Sequence, residues 1–209
     1  MLLALGLLSS CSDGDAAAVE SSGTVVFDYA DAESAPEVRM AVFVRLDSDA
    51  RRAGAVLVEH EETKLQWLVE NPLVIAGASR QWAGHNNLRP AGGRAIPEGR
   101  YYVLYSDKAQ AESGTMFSLT YPQELCGAAL PRAVALVAGS AARRIVLYGA
   151  DGGMLFCDAR KTLWHSAAAI RKDFPAAASF RYYYLSADSA AAVLTPVKSI
   201  DLYEENDEY

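Results

Sequence analysis

The chain has 209 residues, 51% hydrophobic and 22% charged, which is enough apolar material for one large or two small domains and too much for wholesale disorder. A formal net charge of -7 and a pI near 5.0 repel nucleic-acid phosphates. No basic run longer than the pairs Arg51-Arg52 and Arg143-Arg144 opposes that field, so nucleic acid is excluded as a natural partner.

Residues 1–10, "MLLALGLLSS", carry no charge. They are too short to span a bilayer, which needs about 20 apolar residues, and they fit the apolar core of a secretory signal. "LSSC", Leu8 to Cys11, resembles the lipobox of bacterial lipoproteins. That resemblance implies a signal peptide over 1–10 and acylation of Cys11 as the first mature residue. It also implies a partner in membrane lipid, since several acyl chains at about 0.8 kcal/mol per buried CH₂ anchor stably where one does not. Ser12 stands where Asp favours inner-membrane retention, so the expected address is the bacterial cell envelope, outer membrane before inner. No Lys or Arg precedes the apolar run, which suggests that the start is truncated. Residues 11–23 have the polar, low-complexity composition of a flexible tether. With Cys11 acylated, Cys126 and Cys157 remain in an exported chain and are expected to form a disulfide, two free buried thiols being the alternative.

From Thr24 onward the periodicity is that of strands. "VRMAVFVRL" puts Val38, Met40, Val42, Val44 and Leu46 on one face and Arg39, Ala41, Phe43 and Arg45 on the other. Further strands are predicted at 24–29, 53–59, 64–70, 72–77, 100–106, 114–121, 132–139, 143–149, 153–158, 179–186 and 192–203. "IPEGR" (96–100) and "ADGGM" (150–154) supply turn chemistry between them. One helix is predicted over Thr162 to Lys172, ended by Pro175. The fold class is therefore all-β, an antiparallel sandwich with at most one or two short helices. Lys108 to Ser113 offers a boundary between a sandwich at 24–110 and a second β-rich half at 111–203, although one continuous sandwich satisfies the pattern nearly as well. Residues 204–209 read as a solvated acidic tail.

The order Trp82, Gly84, Asn86, Gly93-Arg94, Pro97, Gly99, Tyr101 resembles the "W-x-G…G-R-x-x-P-x-G-x-Y" hairpin of Ig-like domains in flagellar hook-capping proteins. It is also similar to an uncharacterised periplasmic family in which a "V-A-V-W-V" segment precedes the hairpin, where "MAVFVRL" (40–46) stands here. The resemblance implies an Ig-like sandwich and little about activity.

Catalytic motifs do not emerge. "EHEETK" lacks the second histidine of a zincin, Lys64 standing four residues after His60. The sequence has no G-x-S-x-G, S-x-x-K, P-loop, G-x-G-x-x-G or C-x-x-C. Cys126 as a nucleophile would need a paired base, for which His165 is the nearest candidate. No catalytic residue, cofactor or metal ligand is assigned. In "FRYYYL", Phe180, Tyr182 and Tyr184 share one face, and Arg181, Tyr183 and Leu185 the other. Tyr182 and Tyr184, with Trp82, are the candidate ligand-binding surface, where exposed aromatics stack on sugar rings or grip a protein. The functional expectation is an envelope-anchored, non-enzymatic binding or assembly module with a protein or glycan partner. An envelope hydrolase acting on peptidoglycan or glycans, and a small-ligand or metal carrier, are the alternatives.

Overall fold

The alternation in 38–46 becomes β2 (Glu37–Leu46), with Met40, Val42, Val44 and Leu46 buried. The structure is a computed structural model that describes residues 17–47, 50–77, 80–93, 95–138 and 142–204. Around β2 lie β1 (Ala18–Asp28), β3 (Ala53–His60), β4 (Gln66–Val69), β5 (Leu73–Ala76), β6 (Gln81–Leu88), β7 (Gly99–Asp107) and β8 (Glu112–Leu119). The rest of the chain forms α1 (Leu130–Ala138), β9 (Ala142–Gly149), β10 (Met154–Ala159), α2 (Ala167–Asp173), β11 (Ala177–Leu185), β12 (Ala191–Leu194) and β13 (Lys198–Ser199). One sheet runs β10-β9-β11-β12-β1-β2-β6-β5, with β13 appended to β11, and the other runs β4-β3-β7-β8. The two sheets enclose one apolar core that extends from Val25 to Tyr203, so the chain is an all-β sandwich with two short helices.

Several expectations are corrected. Residues 108–111 are the turn of the β7–β8 hairpin, 112–113 already belong to β8, and the larger sheet takes strands from both of the halves that a boundary at 108–113 would separate. Residues 18–23, read as tether, belong to β1. They pair with β2, and the Ala18 N–H and Ser21 hydroxyl reach Ser113 and Thr115 of β8 at 3.1 and 3.4 Å. The polar residues here lace one sheet to the edge of the other. Gly23 is required because a Cβ would overlap the Phe117 ring.

The described part of the segment predicted as a strand over 132–139, "RAVALVA", is helix α1, not a strand. Leu130, Ala133, Val134 and Val137 are buried at helical spacing, and Pro131 occupies the first turn, where its missing N–H costs nothing. The second helix starts later than predicted because Ser166 caps it, accepting from the Ala169 N–H at 3.3 Å. The 192–203 segment stops being a strand at Thr195-Pro196, then adds two residues beside β11 and a single helical turn, Ile200–Leu202. Glu204 bridges to Ser166, and the remainder of the acidic tail lies outside the described residues.

The halves meet where β1 pairs with β12 in parallel, the one departure from antiparallel order among the described strands. Asp28, at the end of β1, accepts from Arg39 of β2 at 3.1 Å and from Arg181 of β11. Arg181 is nearly buried, and its Nε donates to the Thr195 carbonyl at 2.9 Å. On the same outer face, Val26, Ala192 and Leu194 form a small second cluster under Ala41, Tyr183 and Leu185.

The β6–β7 connection is held by three successive carbonyls. Tyr121 Oη donates to Ile96 O at 2.5 Å, Tyr101 Oη to Pro97 O at 2.5 Å, and His60 Nε2 to Glu98 O at 2.9 Å. The Thr63 N–H donates to His60 Nδ1 at 3.1 Å, which leaves Nε2 as the nitrogen that donates to Glu98 O. Burial pushes the Tyr101 and Tyr121 phenols far above their ordinary range, which keeps both as donors. Tyr101 reaches back four residues, so its hydroxyl fastens the start of β7 to the turn that precedes it. Tyr121→Phe keeps the ring and leaves the Ile96 carbonyl without this donor. Urea unfolding is expected to show a loss of about 1–2 kcal/mol with an unchanged m-value.

Candidate interaction face

On the outer face of the larger sheet the register sets side chains in rows. Arg45, Trp82 and Ile75 are direct partners across β2, β6 and β5, and the next row is Phe43, Gly84 and Leu73. Direct antiparallel partners share a face, and this is the face opposite the buried Val42 and Val44. Gly84 is the floor of the array. A Cβ there would overlap the Val42 carbonyl and come within 2.9 Å of the Phe43 ring. The result is a platform of Trp82, Phe43, Leu73 and Ile75 with one guanidinium at its margin, Arg45 being held to Glu20 at 2.9 Å. Leu73 and Ile75 are 44% and 52% exposed, Trp82 and Phe43 half-buried. Aromatic, aliphatic and arginine side chains in one patch have the composition of a protein-recognition surface.

Trp82 stands half-buried on this outer face. Tyr182 and Tyr184 do not, and their assignment to a ligand-binding surface is corrected. With Phe180 they point inward and are buried, because α1 packs on β11 and β12. The Arg143 guanidinium lies 3.8 Å from the Tyr182 ring centroid, and Phe180 packs on Tyr203 at 5.2 Å. Arg181, on the other face of the strand, is spent on Asp28. Residues 1–16, with the signal segment and Cys11, lie outside the described residues.

Cys126 and Cys157 are both free thiols, which corrects the expected disulfide. Cys126 ends a helical turn, Gln123–Cys126, packed against the core, whereas Cys157 sits on β10 opposite Val146 at the sheet edge. Partial burial of its sulfur pushes the Cys157 thiol up, opposed by Arg144 and aided by Asp158. The histidines serve separate local purposes. His60 holds the β6–β7 connection, His85 Nδ1 accepts from the Asn87 N–H at 3.1 Å, and His165 is exposed before α2. Among the described residues no three His, Cys, Asp or Glu side chains gather into a metal-holding group.

Clefts of about 400 to 550 Å³ flank the connection at 89–98. Arg89 borders two of them; it pairs with Glu37, and its carbonyl accepts from Trp67 Nε1 at 2.8 Å. Cys126 lines one cleft and His85 another. These groups are bound into the scaffold, and the outer platform offers the larger set of side chains without such duties. No protein-family model matches the sequence, and no curated protein matches it.

Two outcomes follow for this region. Gly84→Ala is expected to destabilise the fold by about 1–3 kcal/mol in denaturant titration, because backbone must move to admit the methyl. Alkylation of the folded chain before reduction is expected to label both Cys126 and Cys157. Labelling of Cys157 should be slow near neutral pH and accelerate as pH rises, since only the thiolate reacts and the raised pKa keeps it scarce.

Proposed function

We propose that the chain is an envelope-anchored lipoprotein, tethered through acylated Cys11, whose sandwich serves as a non-enzymatic binding or assembly module. The observation that carries the binding role is the solvent-facing platform of Trp82, Phe43, Leu73 and Ile75 beside Arg45. A sheet face turned to water ordinarily alternates to polar residues, and contiguous apolar side chains on it mark an interaction surface. The charged groups at its margin, Arg45 and Glu20, are paired with each other, and the apolar side chains between them and the sheet edge favour an adhesive role. Aliphatic side chains at the platform's open end offer no hydrogen bonds to sugar hydroxyls, which favours a protein partner over a glycan. The anchor rests on the lipobox. No helix among the described residues is long and apolar enough to cross a membrane, and acylation would supply the attachment.

A photoreactive residue placed at Leu73 in cells is expected to cross-link a discrete envelope protein, while the same probe at the distant, exposed Leu163 does not. Trp82→Ala should reduce the Leu73 adduct about tenfold, as expected for an aromatic anchor near the centre of an interface. Equal adducts at both sites, or no effect of Trp82→Ala, would count against the platform. The anchor is checked separately by metabolic incorporation of an alkyne fatty acid, expected to vanish in Cys11→Ala.

A further inference from the structure

The platform ends at β5, and β5 is an open edge. The Gly77 N–H donates to the Arg80 carbonyl at 2.8 Å, which sets the phase of the β5–β6 ladder: 73, 75 and 77 bond toward β6. The amide and carbonyl groups of Val74 and Ala76 therefore face outward, and no other element bonds to them among the described residues. All four residues of β5 are exposed, uncharged and paired to β6 without a bulge. The other edges are blunted. The β8 edge lies under the first half of β1, β10 carries a bulge and Asp158, and β4 is packed against the Arg89 connection through Trp67. Sheet proteins ordinarily protect such an edge with charge, proline or a bulge, and a flat apolar one is a template for another strand.

We infer that β5 is a self-pairing edge: two copies of this chain join β5 to β5 in antiparallel register about Ile75, extending the larger sheet across a two-fold axis. The inference deepens the reading of this face as a binding surface by naming a second copy as an occupant. Two observations select this partner and register. First, with Ile75 opposite its own symmetry mate, the outward-facing Val74 of each copy meets the outward-facing Ala76 of the other, and all four free amides and carbonyls of each pair are satisfied. Ile75 then falls at a non-hydrogen-bonded position, where side chains approach most closely. The row Arg45–Trp82–Ile75 continues directly into its mirror sequence in the second copy. Second, the segment from Asn71 to Ser79 has no charge, Glu70 precedes it and Arg80 follows it, both exposed and neither in an ion pair among the described residues. An antiparallel joint brings the acidic end of one copy to the basic end of the other at both extremities, while a parallel joint sets like charges together.

Sedimentation of the full chain from micromolar to millimolar concentration, with far-UV circular dichroism of every variant, tests this. The expected result is a concentration-dependent dimer. Ala76→Pro removes an outward N–H without touching the β6 ladder, and is expected to raise the dimer dissociation constant about tenfold or more. Glu70→Arg and Arg80→Glu, both on the surface, should each weaken the dimer a few-fold, and the double variant should restore it. Ile75→Cys should yield a covalent dimer under mild oxidation beyond that of the unsubstituted chain, and Leu73→Cys, which faces Gly77 of the second copy, should not. A chain monomeric throughout, a dimer indifferent to Ala76→Pro, or a double charge variant no better than the singles would overturn the proposal. Self-pairing fails alone if the chain is monomeric yet its Leu73 adduct still depends on Trp82. The platform reading fails alone if the dimer forms and that adduct is indifferent to Trp82→Ala.

Discussion

Everything in the larger sheet hangs on the pairing of β1 with β12, and that pairing is secured at Asp28. Its carboxylate collects Arg39 from the strand on one side and Arg181 from beyond β12 on the other, while Arg181 also holds the Thr195 carbonyl. These groups come from positions 28, 39, 181 and 195, so the contact closes nearly the whole chain into one body. A parallel junction between distant segments is costly in loop entropy, and a nearly buried arginine satisfied by a carboxylate and a carbonyl offsets part of that cost and fixes which strands meet. From this seam the order β1-β2-β6-β5 runs outward to the platform, so the face that we assign to recognition is built on the same constraint.

The second device is the set of three donors on consecutive carbonyls. Tyr121, Tyr101 and His60 hold the 96–98 segment from inside the core and leave β6 at a defined register, with Trp82 and Gly84 outward and Ala83 inward. Phe43 lies over Gly84 only because that position has no side chain. Phe43 is therefore seated on the sheet before it meets anything, which lowers the side-chain entropy it has left to lose on binding.

Much of this is legible in the residues. Period-two alternation locates most of the strands but passes over β6, where Gly84, His85 and the asparagines break the pattern, and the Trp82-to-Tyr101 spacing marks a special connection whose tyrosine has a defined duty. Phe43 was in view as an aromatic on the arginine face of β2, but its significance depended on the cross-strand partners Gly84 and Leu73, which only register reveals. The tyrosines of β11 misled because alternation says that one face is core without saying which, and α1 covers the face that carries Tyr182 and Tyr184. That helix was itself hidden, since "AVALVA" satisfies a strand as well as a helix and only the Leu130, Ala133, Val134, Val137 stripe decides. Residues 18–23 looked like tether because polar, small side chains suit both a linker and a strand that laces two sheets together. The cysteines paired by arithmetic, but arithmetic does not place Cβ atoms, and the fold sets Cys126 and Cys157 in unrelated surroundings.

Recognition along an open sheet edge makes a distinctive claim about individual amides. Residue-resolved hydrogen exchange of β5 tests it most directly. The account predicts that Leu73 and Ile75, bonded to β6, stay protected at every concentration, whereas Val74 and Ala76 exchange freely when dilute and gain protection as the chain is concentrated. Protection of Val74 and Ala76 already at high dilution, or free exchange that concentration leaves unchanged, would contradict it.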